Sequence, residues 1–227
     1  RHDLNTKQKK EVEQYFHQHL LPYVQPVLLV KNTIRPFLNN AELYLIIAMK
    51  EKKKDSKTGQ KKNQCAIVKI PSDHLDRFIV LTPSKPDHHD VILLDDIVRH
   101  SIFWLFPGYE VKGSYSIKLT RDAELYIDDE FSGDLIRKIK ASLSRRNIGP
   151  ASRLVYDRKM PDFLLDYIRE VLGIEELDLI PEGRYHNNFD FHHFPDFGKE
   201  HLRLPLLPPL KYQPLLKVSD FFAAIQH

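Results

Sequence analysis

The stretch Gly113-Ser114-Tyr115-Ser116-Ile117-Lys118-Leu119-Thr120-Arg121 decides the fold class. Tyr115, Ile117 and Leu119 alternate with Ser114, Ser116, Lys118 and Thr120, so a period of two gives one apolar and one polar face. This is a strand with one side buried. Upstream, Leu43 to Met49 is apolar at every position, which predicts a central strand covered on both faces. Cys65 to Ile70 is its expected hairpin partner, followed by a turn at Pro71-Ser72-Asp73 and a third strand over Phe78 to Leu81. Val91 to Leu94 reads either as a fourth strand or as the lead into a helix from Asp95 to Phe106, which Pro107-Gly108 stops. Downstream, an acidic turn at Asp128 to Glu130 precedes a helix from Ser132 or Gly133, with an apolar stripe at Leu135, Ile136, Ile139 and Leu143. A strand at Arg153 to Tyr156 then leads to a second helix. Pro161 is expected at its N1 position, Leu164, Leu165, Ile168, Val171 and Leu172 inward, and Gly173 just past its end.

At the start of the chain, Val12, Tyr15, Phe16, His19 and Leu20 follow the spacing of an amphipathic helix, with Asn5 or Thr6 as N-cap and Pro22 as its end. From about Leu179 periodicity fades, and aromatics, histidines and prolines crowd into Arg184 to Pro209, an irregular run over the surface. Val218 to Ile225 reads as the start of a helix or a docking segment. The fold class is therefore α+β: a mixed, partly antiparallel sheet with packed helices, preceded by an N-terminal helix and followed by an irregular tail. The expected division is residues 1–22, the end of a helical region; 23–180, the α+β domain; and 181–227, the tail.

Composition narrows the class. With 227 residues, 42% hydrophobic and 29% charged, the chain has ordinary globular values, which exclude a disordered, collagen-like or disulfide-scaffold protein. The single Cys65 allows no internal disulfide. The longest apolar runs, Leu43 to Met49 and Ile102 to Phe106, fall far short of the roughly 20 residues needed to cross a bilayer, so the sequence reads as a soluble protein. Residue 1 is Arg and methionine occurs only at Met49 and Met160, so position 1 is expected to be the cut end of a longer chain. A net charge of +3 is too mild to demand an anionic partner. Seven lysines between Lys50 and Lys62 read as a solvated hairpin loop.

Twelve histidines invite a zinc reading, but the adjacent pairs His88/His89 and His192/His193 cannot easily ligate one ion. Asp95/Asp96 and Asp128/Asp129/Glu130 could hold a hard cation, or could simply favour a helix start and a solvated turn. The sequence contains no phosphate-binding GxxxxGK[ST] loop, no GxGxxG loop and no GxSxG elbow. Strand parity places Arg121 with Ile117 and Leu119 on an apolar side, where its guanidinium needs a partner: a carboxylate such as Asp128, or a bound phosphate or carboxylate that it clamps. Lys118 lies on the opposite face near the same strand end. Arg137, Lys140, Arg145 and Arg146 either line a polyanion path or form a solvated helix face.

Taken together, Phe106-Pro107-Gly108-Tyr109, Lys118-Leu119-Thr120-Arg121-Asp122-Ala123-Glu124-Leu125, Gly149-Pro150 through Arg153, and Met160-Pro161 resemble the head or middle domain of bacterial polyphosphate kinase. Ile70-Pro71 before Arg77-Phe78-Ile79 supports the resemblance, and Gly183-Arg184-Tyr185-His186-Asn187 with the proline-rich Leu204 to Leu210 fits a Bacteroidetes-like branch. The resemblance implies an enzyme that moves the terminal phosphoryl group of ATP reversibly onto inorganic polyphosphate through a phosphohistidine, with Mg²⁺. In that family the phosphohistidine and most ATP contacts belong to C-terminal domains, so the resemblance places no catalytic residue and no metal ligand in this chain. His227 is not read as the nucleophile. Ser152-Arg153-Leu154-Val155-Tyr156-Asp157 departs from the more acidic strand end of many members. The resemblance further implies a head-domain role in homodimer formation and in one wall of an active-site tunnel, with Lys118, Arg121, Arg137, Lys140, Arg145 and Arg146 as polyphosphate-path candidates. It implies a cytoplasmic location, with peripheral membrane association left open, and no activity for this portion alone. A stand-alone polyanion or nucleic-acid binding module is the alternative, against which the aromatics are not interleaved with basic residues.

Overall fold

In the computed structural model, which describes residues 3–29, 37–53, 62–121, 151–210 and 222, the apolar run read as a doubly covered strand is the middle of a six-stranded sheet. The strands are β1 (Pro26–Leu29), β2 (Leu43–Glu51), β3 (Asn63–Lys69), β4 (Phe78–Leu81), β5 (Asp90–Leu93), β6 (Tyr109–Arg121), β7 (Ala151–Asp157) and β8 (Leu179–Glu182). The helices are α1 (Thr6–Tyr15), α2 (Leu94–Leu105) and α3 (Asp162–Leu172). The large sheet has the order β1-β3-β2-β6-β7-β8, while β4 and β5 form a separate hairpin. All pairings in the large sheet are antiparallel except β7 with β8, so the sheet is mixed.

The alternation of β2 builds two cores at once. Leu43, Leu45, Ile47 and Met49 pack with Val12 and Phe16 of the N-terminal helical segment and Ile97 and Val98 of α2. Tyr44, Ile46 and Ala48 point the other way, toward Ile117 and Leu119 of β6, Leu154 of β7, and Leu164 and Ile168 of α3. In register, Ile46 stands between Ile67 of β3 and Tyr115 of β6. Both faces of β2 are buried, which is why its sequence does not alternate.

Local signals set the element ends. Asn5 caps α1: its side chain accepts from the Gln8 backbone N–H at 2.9 Å, while the Gln8 side chain accepts from the Asn5 N–H at 3.1 Å. The chain stays helical past α1, through a widened turn at Phe16–Leu20 and a tight turn at Leu21–Tyr23. Pro22 sits inside that last turn, where a missing N–H costs little. Pro161 is the N-cap of α3, one residue earlier than expected, with extended ψ of 144°. Gly173 ends α3 at φ 67°, and its N–H and that of Ile174 both donate to the Arg169 carbonyl.

Three differences from the sequence reading have simple causes. The stretch Val91 to Leu94 is both strand and helix lead, β5 running directly into α2. β1 and β8 contain Pro26 and Pro181 and were not expected as strands; both are edge strands, where a residue without an N–H is tolerated. The polar face of β6 is not open along its whole length: Ser116 is buried, because the irregular segment after β8 lies on it. The expected helix from Ser132 or Gly133, the acidic turn before it and most of the lysine loop lie outside the described residues, as does most of Val218 to Ile225. The chain forms two compact units, Arg1–Pro195 and Asp196–His227. Within the second, Arg203 pairs with Asp196 at 3.2 Å beside a tight turn at Glu200–Leu202. Among the described residues no helix is long and apolar enough to cross a membrane.

Candidate functional site

A chain of buried charges runs from the start of α2 toward the C-terminal end of β6. Asp95 and Asp96 occupy the first turn of α2, where the helix dipole favours them, and Arg99 follows one turn later. Arg77, just ahead of β4, holds Asp95 with two nitrogens, Nε at 2.7 Å from Oδ1 and Nη2 at 2.8 Å from Oδ2. Its Nη1 reaches Asp190 Oδ2 at 2.8 Å. Arg99 donates to Asp96 Oδ1 at 3.0 Å and to the hydroxyl of Ser116 on β6. Arg77 and Asp95 side chains are 4% and 3% exposed, so each charge depends on its partners to remain in the interior.

These groups hold down the segment after β8. Ser116 Oγ donates to the Arg184 carbonyl at 2.6 Å, and Tyr185 OH donates to Asp96 Oδ2 at 2.7 Å. Burial alone would raise the Asp96 carboxyl pKa, but the Tyr185 hydroxyl and the Arg99 guanidinium outweigh it and hold the pKa below its ordinary value. Burial, and the hydrogen bond to that carboxylate, push the Tyr185 hydroxyl up to about 12. Phe78 of β4 meets Phe191 and Phe194 with ring centroids 5.2 and 5.1 Å apart, adding an apolar anchor.

The chain of charges ends on Lys118. Asp190 Oδ1 accepts from Asn187 Nδ2 at 2.6 Å, and Asn187 Oδ1 accepts from Lys118 Nζ at 2.7 Å. Asn187 makes both bonds from the left-handed region, φ 66°, a conformation Asn tolerates better than most residues. The Lys118 ammonium is thus oriented by an amide oxygen and, among the described residues, forms no ion pair. A half-buried, oriented cation of this kind is suited to an anionic ligand.

His186, 4% exposed, sits between these contacts with Nε2 at 2.8 Å from the Gly183 carbonyl. Burial lowers its pKa, against the opposing pull of Glu182, Asp157 and Asp95. A histidine protonated less readily in the fold than in the unfolded chain contributes stability that is complete above the unfolded pKa of about 6.5 and is lost as pH falls below it. Thermal melts are therefore expected to weaken between about pH 7 and pH 5, and His186→Gln should flatten part of that slope. An unchanged slope in the variant would remove His186 as its source.

The model of one protein family, described as the polyphosphate kinase middle domain, matches residues 7–194. The chain belongs to the polyphosphate kinase middle-domain family. It is 35% identical to a polyphosphate kinase of Vibrio parahaemolyticus over 230 residues, covering 99% of this chain and 32% of that protein. It is also 35% identical to a polyphosphate kinase of Escherichia coli over 215 residues, covering 92% of this chain and 30% of that protein. The crystal structure of a polyphosphate kinase from Porphyromonas gingivalis superposes with a TM-score of 0.69 at 27% identity, covering 97% of this chain and 30% of that one. The chain thus spans about a third of the length of these relatives.

In this middle domain the two described candidates, Lys118 and Arg121, are separated by the sheet. Lys118 faces the segment after β8, whereas Arg121 faces the side of Leu119. Arg121 Nε donates to the Leu38 carbonyl at 2.8 Å, its guanidinium lies 4.3 Å from the centre of the Phe37 ring, and its backbone N–H donates to Asn40 Oδ1. Arg137, Lys140, Arg145 and Arg146 lie outside the described residues, as does Asp128, one of the partners considered for Arg121. Asp95 and Asp96, considered for a hard cation, have arginine and tyrosine partners. Among the described residues, no group of three or more His, Cys, Asp or Glu side chains could hold a metal ion. Sequence reading missed Arg77, Tyr185, Asn187 and Asp190 as site residues. Arg77 and Asp190 are 113 residues apart, and no local pattern announces such a pair.

Proposed function

We propose that this chain is the middle domain of a longer enzyme that transfers the terminal phosphoryl group of ATP reversibly onto inorganic polyphosphate. The phosphohistidine of that reaction lies outside these residues, and the middle domain forms one wall of the path along which the polyphosphate runs. The observation that carries this reading is Lys118: an ammonium fixed at 2.7 Å on an amide oxygen, at the end of a buried ionic chain, and in no ion pair among the described residues. Phosphoryl transfer needs cations held where phosphate charge accumulates, and a fixed cation needs little reorganisation when that charge arrives. Family membership supports the substrate class, since the relatives are polyphosphate kinases.

The described residues do not fit Mg²⁺: Asp95 and Asp96 are already engaged by arginines, Asp157 accepts from the Lys159 backbone N–H, and no three acidic or histidine side chains among them gather at one point. The task of this chain is to bind and orient. Arg77 and Asp190 hold Asn187, and Asn187 holds Lys118. Arg121, on the other side of β6, remains a candidate for the same path, as do the basic residues Arg137, Lys140, Arg145 and Arg146, which lie outside the described residues. A contribution to a homodimer interface and a cytoplasmic location belong to the same proposal.

The test is Lys118→Gln in the full-length enzyme that contains this domain. Loss of one charge-assisted contact to phosphate, about 1.5–3 kcal/mol, is expected to raise the KM for polyphosphate about tenfold or more, with little change in Tm. Unchanged kinetics with polyphosphates of every length would remove Lys118 from the path.

A further inference from the structure

Beyond Lys118, the same face of the sheet carries a second cation that the sequence reading did not select. Opposed residues of an antiparallel pair share a face, and the register sets Lys118 opposite Val155 and Thr120 opposite Arg153. Arg153 is therefore one of two diagonal neighbours of Lys118 on one face of β6 and β7, Asp157 being the other. Diagonal neighbours stand roughly 7–8 Å apart, within joint reach of two long side chains.

Coverage of this face fades along it. Ser116 and Asp157 are buried where the segment around Arg184 and His186 lies, Lys118 is half-buried, and Arg153 is exposed. Among the described residues, the Arg153 guanidinium has no hydrogen-bond or ion-pair partner, and Lys118 is held by an amide rather than a carboxylate. Lys118 has the Asp157 carboxylate as its other diagonal neighbour, on the covered side, while Arg153 stands on the exposed side with no described carboxylate paired to it. Two cations side by side repel one another there, and a bound anion turns that cost into attraction. The hydroxyl-bearing Thr120, directly opposite Arg153, shares the face.

The occupant must present anionic charge at more than one point along a line. Tyr115 and Tyr156 belong by register to the other face, packed on the core beneath α3, and Tyr109 stands at the far end of β6 against the other core, so beside Lys118 and Arg153 the two strands offer no aromatic ring for a base to stack on. A bare chain of phosphoryl groups fits better than a single-stranded nucleic acid.

We infer that Lys118 and Arg153 form a two-cation subsite for inorganic polyphosphate on this face of β6 and β7, with Arg153 taking the phosphoryl group next to the one held by Lys118. This rests on the proposed polyphosphate path and extends it to a residue and a face. The test is titration of inorganic polyphosphate into the 227-residue chain, comparing wild type with Arg153→Gln, Lys118→Gln and, as a control for charge alone, Lys85→Gln in an exposed loop. Arg153→Gln is expected to weaken binding about tenfold and to make its salt dependence shallower by about one unit of slope, while Lys85→Gln changes little. Melting curves of the variants verify folding. If wild type binds and Arg153→Gln behaves like Lys85→Gln, the subsite is wrong and the path reading survives. If wild type does not bind polyphosphate, both fall. Equal affinity for a single-stranded RNA of matched charge would overturn the choice of ligand.

Discussion

Arg77→Met is expected to destabilise the domain by about 3–5 kcal/mol, a loss of roughly 10 °C or more in Tm for a chain of this size. The substitution keeps most of the volume and removes the charge, so its effect is electrostatic. Asp95, 3% exposed, would lose the Nε and Nη2 contacts at 2.7 and 2.8 Å and, among the described residues, remain buried with only the Arg99 Nη1 at 3.8 Å for a cation. Asp190 would lose its 2.8 Å contact and keep the amide of Asn187. A buried carboxylate stripped of its counter-ion is far costlier than the intact pair is favourable, so the double variant Arg77→Met/Asp95→Leu is expected to recover much of the loss. The same variant should free the segment around residues 184–194, read as faster amide exchange there than in β2. A loss below about 1 kcal/mol, or no recovery in the double variant, would show that the pair does not hold the segment.

The second large effect is expected at Arg121. Its Nε donates to the Leu38 carbonyl at 2.8 Å, and its guanidinium lies 4.3 Å from the Phe37 ring centre, so Arg121→Ala removes a charge-assisted hydrogen bond and a cation–π contact together. These contribute about 1.5–3 and 0.5–1 kcal/mol. The expected result is a loss of about 2–3 kcal/mol, with Arg121→Lys recovering little, since an ammonium reproduces neither the planar fork nor the stacking. In the full-length enzyme the activity should fall with stability if Arg121 is structural, and beyond it if Arg121 also touches polyphosphate. Normal activity with unchanged Tm would exclude both roles.

Much of the architecture was legible in the sequence because it follows from short periods. The alternation at Tyr115, Ile117 and Leu119, the unbroken apolar run of β2, Asn5 as one of two N-cap choices, and Gly173 just past the end of α3 are local signals, and each stands where its physics puts it. The edge strands β1 and β8 were not legible, since four residues with a proline carry no period to detect. The site was legible only in part. Lys118 was selected from its face and strand end, but its partner Asn187 lies 69 residues away in a stretch with no periodicity. Ser116 reads as a solvent-facing serine until Arg99 and Arg184 close over it. Such contacts are set by how the segment after β8 folds back, a tertiary choice that no window of sequence encodes.

The most direct measurement is ATP-dependent polyphosphate synthesis by this 227-residue chain beside a chain carried to the full length of its relatives. The proposal requires synthesis in the long chain and none in the short one, because the middle domain binds and orients while the phosphorylated histidine lies elsewhere. Synthesis by the short chain would contradict it and place the nucleophile among the twelve histidines present here.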